Sequence, residues 1–485
     1  MRIFLLLLTI TILASCSHKP ENAARVDALP EIFPDYAGVT VPVDIAPLNF
    51  EVPGAESVYV EARGGKDGLV SASGDSFADF DIDGWHQLTR QNCGDSIYVS
   101  VSAQKDGQWT EYKPFGIYVS PDALDEWGVT YRKIEPGYET FSKIGIFQRD
   151  IHSFDEFAIV DHTALQGECM NCHVANRCDP SQFQLHIRGD HSATLVQIDG
   201  DRKLLNTKHE STIANCMYPY WHPSGRYIAY SLNLVNQCFF EDTTKTIEVF
   251  DLASDALVLD LKTNELILSD RIMTKDFESY PAFSADGHTL YYCTSKPWMN
   301  EWKLDSMRHD LCAIPFDPEA GSIGSHVDTL IHASKMGFSI THPRPSFDGK
   351  YLLYSTSSCS VFPIHHPESD LWLLDLSTME SHPLTEANSP GAESFHNWST
   401  NSRWILFCSK RHNGINNLLY FAHVDSNGKA SKAFLLPQRN PKRFYDNLMH
   451  SYNVPDFTIR KVELDIRAFA DEIYNQPRIQ VGARR

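Results

Sequence analysis

The chain has 485 residues, 42% of them hydrophobic and 12% aromatic, which is more than one hydrophobic core ordinarily supports and predicts two or more packed domains. Its 42 basic and 62 acidic residues give a formal net charge of -20. That balance excludes binding of nucleic acid or anionic lipid through a basic surface.

Met1-Arg2 opens a short basic region, Ile3 to Leu13 is an apolar run too short to span a bilayer, and Leu13-Ala14-Ser15-Cys16 closes it. The first 16 residues resemble a bacterial lipoprotein signal. The resemblance implies that Cys16 is lipidated and becomes the mature N-terminus. A plain secretory signal with an incidental cysteine is the alternative, and in either case the chain is exported. No later segment offers the roughly 18 apolar residues of a membrane helix, so the expected membrane contact is lipid at Cys16. This fits an outer-membrane lipoprotein facing the periplasm or the cell surface.

Residues 17–33 carry Lys, Glu, Asn and two prolines without periodicity and read as a flexible tether. Over 34–124, short alternating runs such as Ser57 to Ala62, Ser96 to Val101 and Phe115 to Val119 read as strands between turns. A small β-sandwich is the expected fold there, with Trp85 as a core plug and a likeness to fibronectin type III or immunoglobulin modules. Asp79-Phe80-Asp81-Ile82-Asp83-Gly84 copies the start of a calcium loop, but Arg90 stands where the bidentate Glu belongs, so a turn is the reading.

The segment 125–182 reads as a connector, and it contains Cys169-Met170-Asn171-Cys172-His173. C-x-x-C-H is the spacing of covalent c-type haem attachment: two thiols bond the porphyrin vinyl groups and the adjacent imidazole ligates the iron. A chance match in this composition is expected only about 0.01 times per chain. Cys169, Cys172 and His173 are therefore the expected haem c site, with His173 the proximal iron ligand. His186 is a candidate distal ligand and Met217 another. Two alternatives stay open: a zinc knuckle of Cys169, Cys172, His173 and Cys178, and a disulfide among these cysteines. Eight of the 11 cysteines lie outside these two motifs, and in an oxidising compartment some are expected to pair.

An internal repeat fills the second half. Tyr218-Pro219-Tyr220-Trp221-His222-Pro223-Ser224-Gly225-Arg226 recurs from Tyr280-Pro281, from His342-Pro343 and, less closely, from Phe395-His396. The turn glycines Gly225, Gly287 and Gly349 fall 62 residues apart, and Ser402 follows Gly349 by 53. Each copy is a strand, a tight turn and a second strand, and stacking such sheets about an axis is the β-propeller solution to exposed edges. The copies resemble the repeat of TolB-like propellers. The resemblance implies a propeller over 183–460 with six blades, or five, where Phe183 to Leu205 adds a blade and residues near Tyr452 to Thr458 close the ring. Residues 461–485 read as a tail.

Taken together, the fold class is all-β, a sandwich followed by a TolB-like propeller. From about 40 to 460 the chain resembles exported propeller lipoproteins of Bacteroidetes-type bacteria that carry a cytochrome c-related motif. That implies a single haem in electron transfer or redox sensing, with a redox or envelope protein as partner. A haem-free scaffold for protein-protein contacts is the alternative. No catalytic constellation is recognised: His209-Glu210 meets Ile213 where a second His would stand, and there is no G-x-S-x-G elbow.

Overall fold

The structure, a computed structural model, describes residues 19–135, 143–241, 247–297, 306–359 and 361–485. The signal-like segment and Cys16 lie outside the described residues. Among the described residues no helix is long and apolar enough to cross a membrane.

The N-terminal strands join one seven-stranded sheet in place of the expected pair of facing sheets. Ser57–Gly64 pairs with Leu69–Gly74 on one side and Asp95–Lys105 on the other. The long strand Asp95–Lys105 then carries Gln108–Glu111 at one end and Phe115–Val119 at the other. The layer beneath is a helix, Ile82–Gln91, with a short pair formed by Phe50–Glu51 and Phe77–Ala78. Trp85 does plug the core, but from this helix, its ring 5.2 Å from that of Phe80. The helix forms because Ile82, Trp85 and Leu88 recur at its period and Asp81 caps it, accepting from the Gly84 amide at 2.8 Å. The calcium-like residues are thus a helix cap, with Asp79 accepting from Asn49 Nδ2. The tether is also partly ordered: Ala24–Arg25 pairs in parallel with Gln108–Glu111.

Six further sheets of four or five strands follow among the described residues. The first is built from both ends of the chain, with Gly128–Ile134, Gly145–Asp150 and Glu156–Asp161 completed by Ser451–Thr458 on the inner side. The second to sixth begin with inner strands Cys169–Asn176, Met217–Trp221, Phe277–Phe283, Ser339–Pro345 and Glu393–Trp398. Each inner strand contacts the next, and Ser451–Thr458 contacts both the sixth and the second, so the inner strands close a ring around a channel. This is a propeller arrangement, and it corrects two boundaries. The supposed connector 125–182 supplies most of one sheet and the inner strand of another. The supposed tail is structured: in helix Ile466–Asn475, Phe469 and Ile473 are buried, and Ile479–Gln480 and Gly482–Arg484 extend the second and third sheets.

The repeat turns explain their own sequence. In the fifth sheet the Ser346 hydroxyl donates to Asp348, which accepts from the Lys350 amide, while Ser346 Oγ accepts from the Tyr351 amide. Gly349 then takes φ +73, open to glycine at little cost. Ser402 holds the same conformation at φ 58, and its hydroxyl accepts from the Asp348 amide of the neighbouring turn. The N-terminal sheet packs on the sixth sheet, where Trp404 Nε1 donates to the Asp122 carbonyl and the Tyr36 hydroxyl to that of Leu435.

No disulfide joins the ten described cysteines, against the expectation of pairing. Several are strand residues that act as small apolar groups, such as Cys408, whose thiol donates to the Tyr452 carbonyl.

Candidate functional site

Every inner strand breaks register at one equivalent place, and Cys169–Asn176 does so a second time between Ala175 and Asn176. The residue at the break has positive φ in each case: Val454 at 48, Cys172 at 53, Tyr218 at 49, Tyr280 at 55, His342 at 52 and Phe395 at 51. These are β-bulges, which re-aim side chains out of the ladder. The next residue is Pro455, His173, Pro219, Pro281, Pro343 or His396, and proline suits a bulge because it needs no ladder donor. Cys172-His173 therefore occupies the position that Tyr-Pro holds in the third and fourth sheets. The four-copy repeat extends to this motif through Cys172-His173-Val174-Ala175-Asn176, a correspondence visible only once the bulges are superimposed.

The channel opens into a cavity of about 200 Å³ lined by residues of all six inner strands. Cys169, Cys172, His173 and Met217 all line it, together with Arg132, Arg188 and His342. Burial pushes the Cys172 thiol up, with Arg188 pulling the other way. The guanidinium of Arg188 also contacts Met217 Sδ. His186 does not line this cavity; its Nδ1 bonds the Thr194 hydroxyl at 2.9 Å on the neighbouring strand.

His173 is fully buried, and burial, then the charge of Arg132, drives its pKa down to about 3. It is therefore a neutral imidazole, the form a metal ligand requires. The backbone of Thr130, on strand Gly128–Ile134 of the first sheet, is its hydrogen-bond partner among the described residues. His396 is the natural control, since it sits at the same bulge position in the sixth sheet. Its Nδ1 meets the Ser355 hydroxyl and its Nε2 the Leu353 carbonyl, both at 3.3 Å. His396 is thus held at both ring nitrogens by the neighbouring sheet, and His173 by the Thr130 backbone alone.

Two thiols and a neutral imidazole on the wall of one cavity fit covalent haem attachment by Cys169, Cys172 and His173. A zinc knuckle fits less well. Among the described residues no three His, Cys, Asp or Glu side chains converge as a metal site, and Cys178 instead donates to the Trp398 carbonyl.

Sequence reasoning did not reach His342, Arg344 or Asp456, which line the same cavity. Burial raises Asp456 to about 7, and Arg344 donates to Asn397 Oδ1 at 3.1 Å. Two of these, His342 and Arg344, lie within the third repeat copy, and only the folded ring brings them to the motif.

No protein-family model matches the chain, and no curated protein sequence matches it. Among solved structures it is similar to TolB from Acinetobacter baumannii, with a TM-score of 0.44 and 12% identity over 82% of each chain. It is also similar to prolyl oligopeptidase B from Galerina marginata (TM-score 0.37, 13% identity, 64% of this chain and 45% of that one). A third similar structure is an oligogalacturonate lyase in complex with manganese (TM-score 0.33, 12% identity, 63% of this chain and 84% of that one).

Proposed function

We propose that this is an exported, lipid-anchored envelope protein whose six sheets are the blades of a TolB-like propeller, with one c-type haem held in the channel by Cys169, Cys172 and His173. The role that follows is electron transfer or redox sensing toward an envelope partner. Haem, when bound, supplies a one-electron iron couple. The protein's own part is to present two thiols and a neutral imidazole from a single bulged strand and to wall the group off from solvent. Arg132 and Arg188 supply positive charge at the same wall, suited to carboxylates. The observation that carries this reading is that Cys169, Cys172 and His173 line one cavity.

The test is expression with export in a host competent for cytochrome c maturation, followed by haem staining of the denatured chain. Staining should be present in the wild type and absent in Cys172→Ala. A colourless wild-type protein refutes the haem. Membrane attachment is tested separately, by lipid labelling that Cys16→Ala should abolish.

A haem-free scaffold is the second reading, favoured by one observation. The hairpin of Tyr227–Phe239 and Ile247–Asp260 outreaches the equivalent hairpins, and it exposes Leu234, Val235, Leu252 and Phe239, the last at 53%. Apolar side chains grouped on a protruding element suit a protein partner. Capture of one and the same partner by the wild type and by a Cys172→Ala, His173→Ala variant supports this reading; partner binding lost in that variant opposes it.

A further inference from the structure

The six bulges stand around the channel in the order Val454, Cys172, Tyr218, Tyr280, His342, Phe395, because the inner strands contact one another in that order. Cys172 and His342 are three places apart in a ring of six and so face each other across the channel. Both line its cavity.

His342 is 3% exposed, and neither of its ring nitrogens has a hydrogen-bond partner among the described residues. Each of the other buried histidines has a partner for its ring, His186 and His309 at one nitrogen only. His222 meets the Ser224 hydroxyl at 2.8 Å and the Gly287 carbonyl at 3.1 Å, and His396 meets Ser355 and Leu353. Leaving a buried polar group unpaired costs about 1–3 kcal/mol, so a site with no use for the ring would be expected to pair it or replace it.

The ring is also held in place. Tyr280 lies tilted against it at 4.0 Å between centroids and 30°, and Phe395 meets it edge-on at 5.3 Å. Tyr218 closes a third side at 6.5 Å. This is an aromatic clamp around an imidazole whose nitrogens are committed to nothing in the protein.

We propose that His342 is the sixth ligand of the haem iron, reaching it from the wall opposite Cys172 and His173. This rests on the haem reading of the C-x-x-C-H motif. It sets aside the two ligands that sequence favoured. His186 lies outside the cavity with Nδ1 on Thr194, and Met217 stands beside Cys172 on the adjacent sheet with its sulfur against Arg188. Two histidine ligands favour a lower reduction potential than a histidine and methionine pair.

The experiment compares absorption spectra, haem staining and reduction potential of the wild type, His342→Ala, His342→Met and Met217→Leu, each matured in the same host. The wild type should be low-spin and Met217→Leu unchanged. His342→Ala should keep covalent haem but turn high-spin, and added imidazole should restore the low-spin spectrum. His342→Met should stay low-spin at a raised potential, and it carries the test if the alanine variant fails to fold. A low-spin spectrum that survives His342→Ala without imidazole, or a Met substitution that leaves the potential unmoved, overturns the assignment. A wild type that carries covalent haem in a five-coordinate state overturns it as well, while leaving the haem reading intact. A wild type with no covalent haem refutes the underlying reading and this assignment with it.

Discussion

Gly287→Ala tests whether the repeat turns are locked to their neighbours as the structure has them. Gly287 has φ +77, and a Cβ added there would lie 2.1 Å from His222 Nε2 and 2.7 Å from its Cε1. The imidazole has nowhere to go. It is buried, bonded to Ser224, and packed edge-on against Phe283 at 4.9 Å and Tyr227 at 5.5 Å. Left-handed backbone costs an L-residue about 1–2 kcal/mol, overpacking costs about 1–3, and the lost contact of His222 with the Gly287 carbonyl adds about 1. Together these predict a loss of about 3–6 kcal/mol. Gly349→Ala is the control: its φ is +73, but the added Cβ meets only the Ala285 Cβ at 3.5 Å, so about 1–2 kcal/mol is expected from backbone alone. Chemical denaturation midpoints read the difference, provided the denaturant slope is common to both variants. On a His222→Ala background the effect of Gly287→Ala should fall to that of Gly349→Ala. Equal destabilisation by the two glycine substitutions, or no relief in the double variant, refutes the His222 contact as its source.

Three further outcomes are expected. Arg411→Met should destabilise by about 3 kcal/mol at neutral pH in denaturation assays, because Glu393 is buried and Arg411 is its charge partner at 3.0 Å; Glu393→Gln added to that variant should recover part of the loss. His366 sits between Glu248 and Glu368 at 3.0 and 3.2 Å; burial lowers its pKa, but the two carboxylates outweigh this and raise it from 6.5 to about 9. The folded state therefore holds its proton more tightly, so this contribution is complete below pH 6.5 and fades as pH rises through about 9; His366→Gln should flatten stability against pH in that window. A thiol reductant should leave the melting temperature unmoved, since no disulfide joins the ten described cysteines; a clear downward shift would expose one.

What the sequence made legible was local. The repeat turns can be read because Ser, Asp and Gly at fixed offsets satisfy one another within six residues, as at Ser346, Asp348 and Gly349. The helix Ile82–Gln91 was equally local, with Asp81 ahead of Ile82, Trp85 and Leu88, but the strands on either side drew it into a sandwich pattern. The first sheet was hidden for a different reason. Gly128–Ile134 finds its inner partner at Ser451–Thr458, more than 300 residues later, and no turn signal marks a pairing at that separation. Cys169, Cys172 and His173 were recognisable from spacing alone. That His173 meets the Thr130 backbone alone while His396 meets both Leu353 and Ser355 depends on what the neighbouring sheet presents.

The bulge also resolves a difficulty that the motif carries when it lies in a strand. Residues three apart on a regular strand point to opposite faces, so Cys169 and Cys172 would be separated by the sheet and unable to serve one planar group. The register break at Cys172, with φ 53, interrupts that alternation, and both thiols reach the same cavity. The bulge itself is not peculiar to the motif; five other inner strands have it, most of them with proline as the second residue. In the second sheet the proline position is taken by His173, which places an imidazole where the ladder needs no donor. The geometry that suits C-x-x-C-H is thus the ordinary geometry of the repeat, and exchanging an aromatic and a proline for a thiol and an imidazole turns a packing position into one equipped for chemistry.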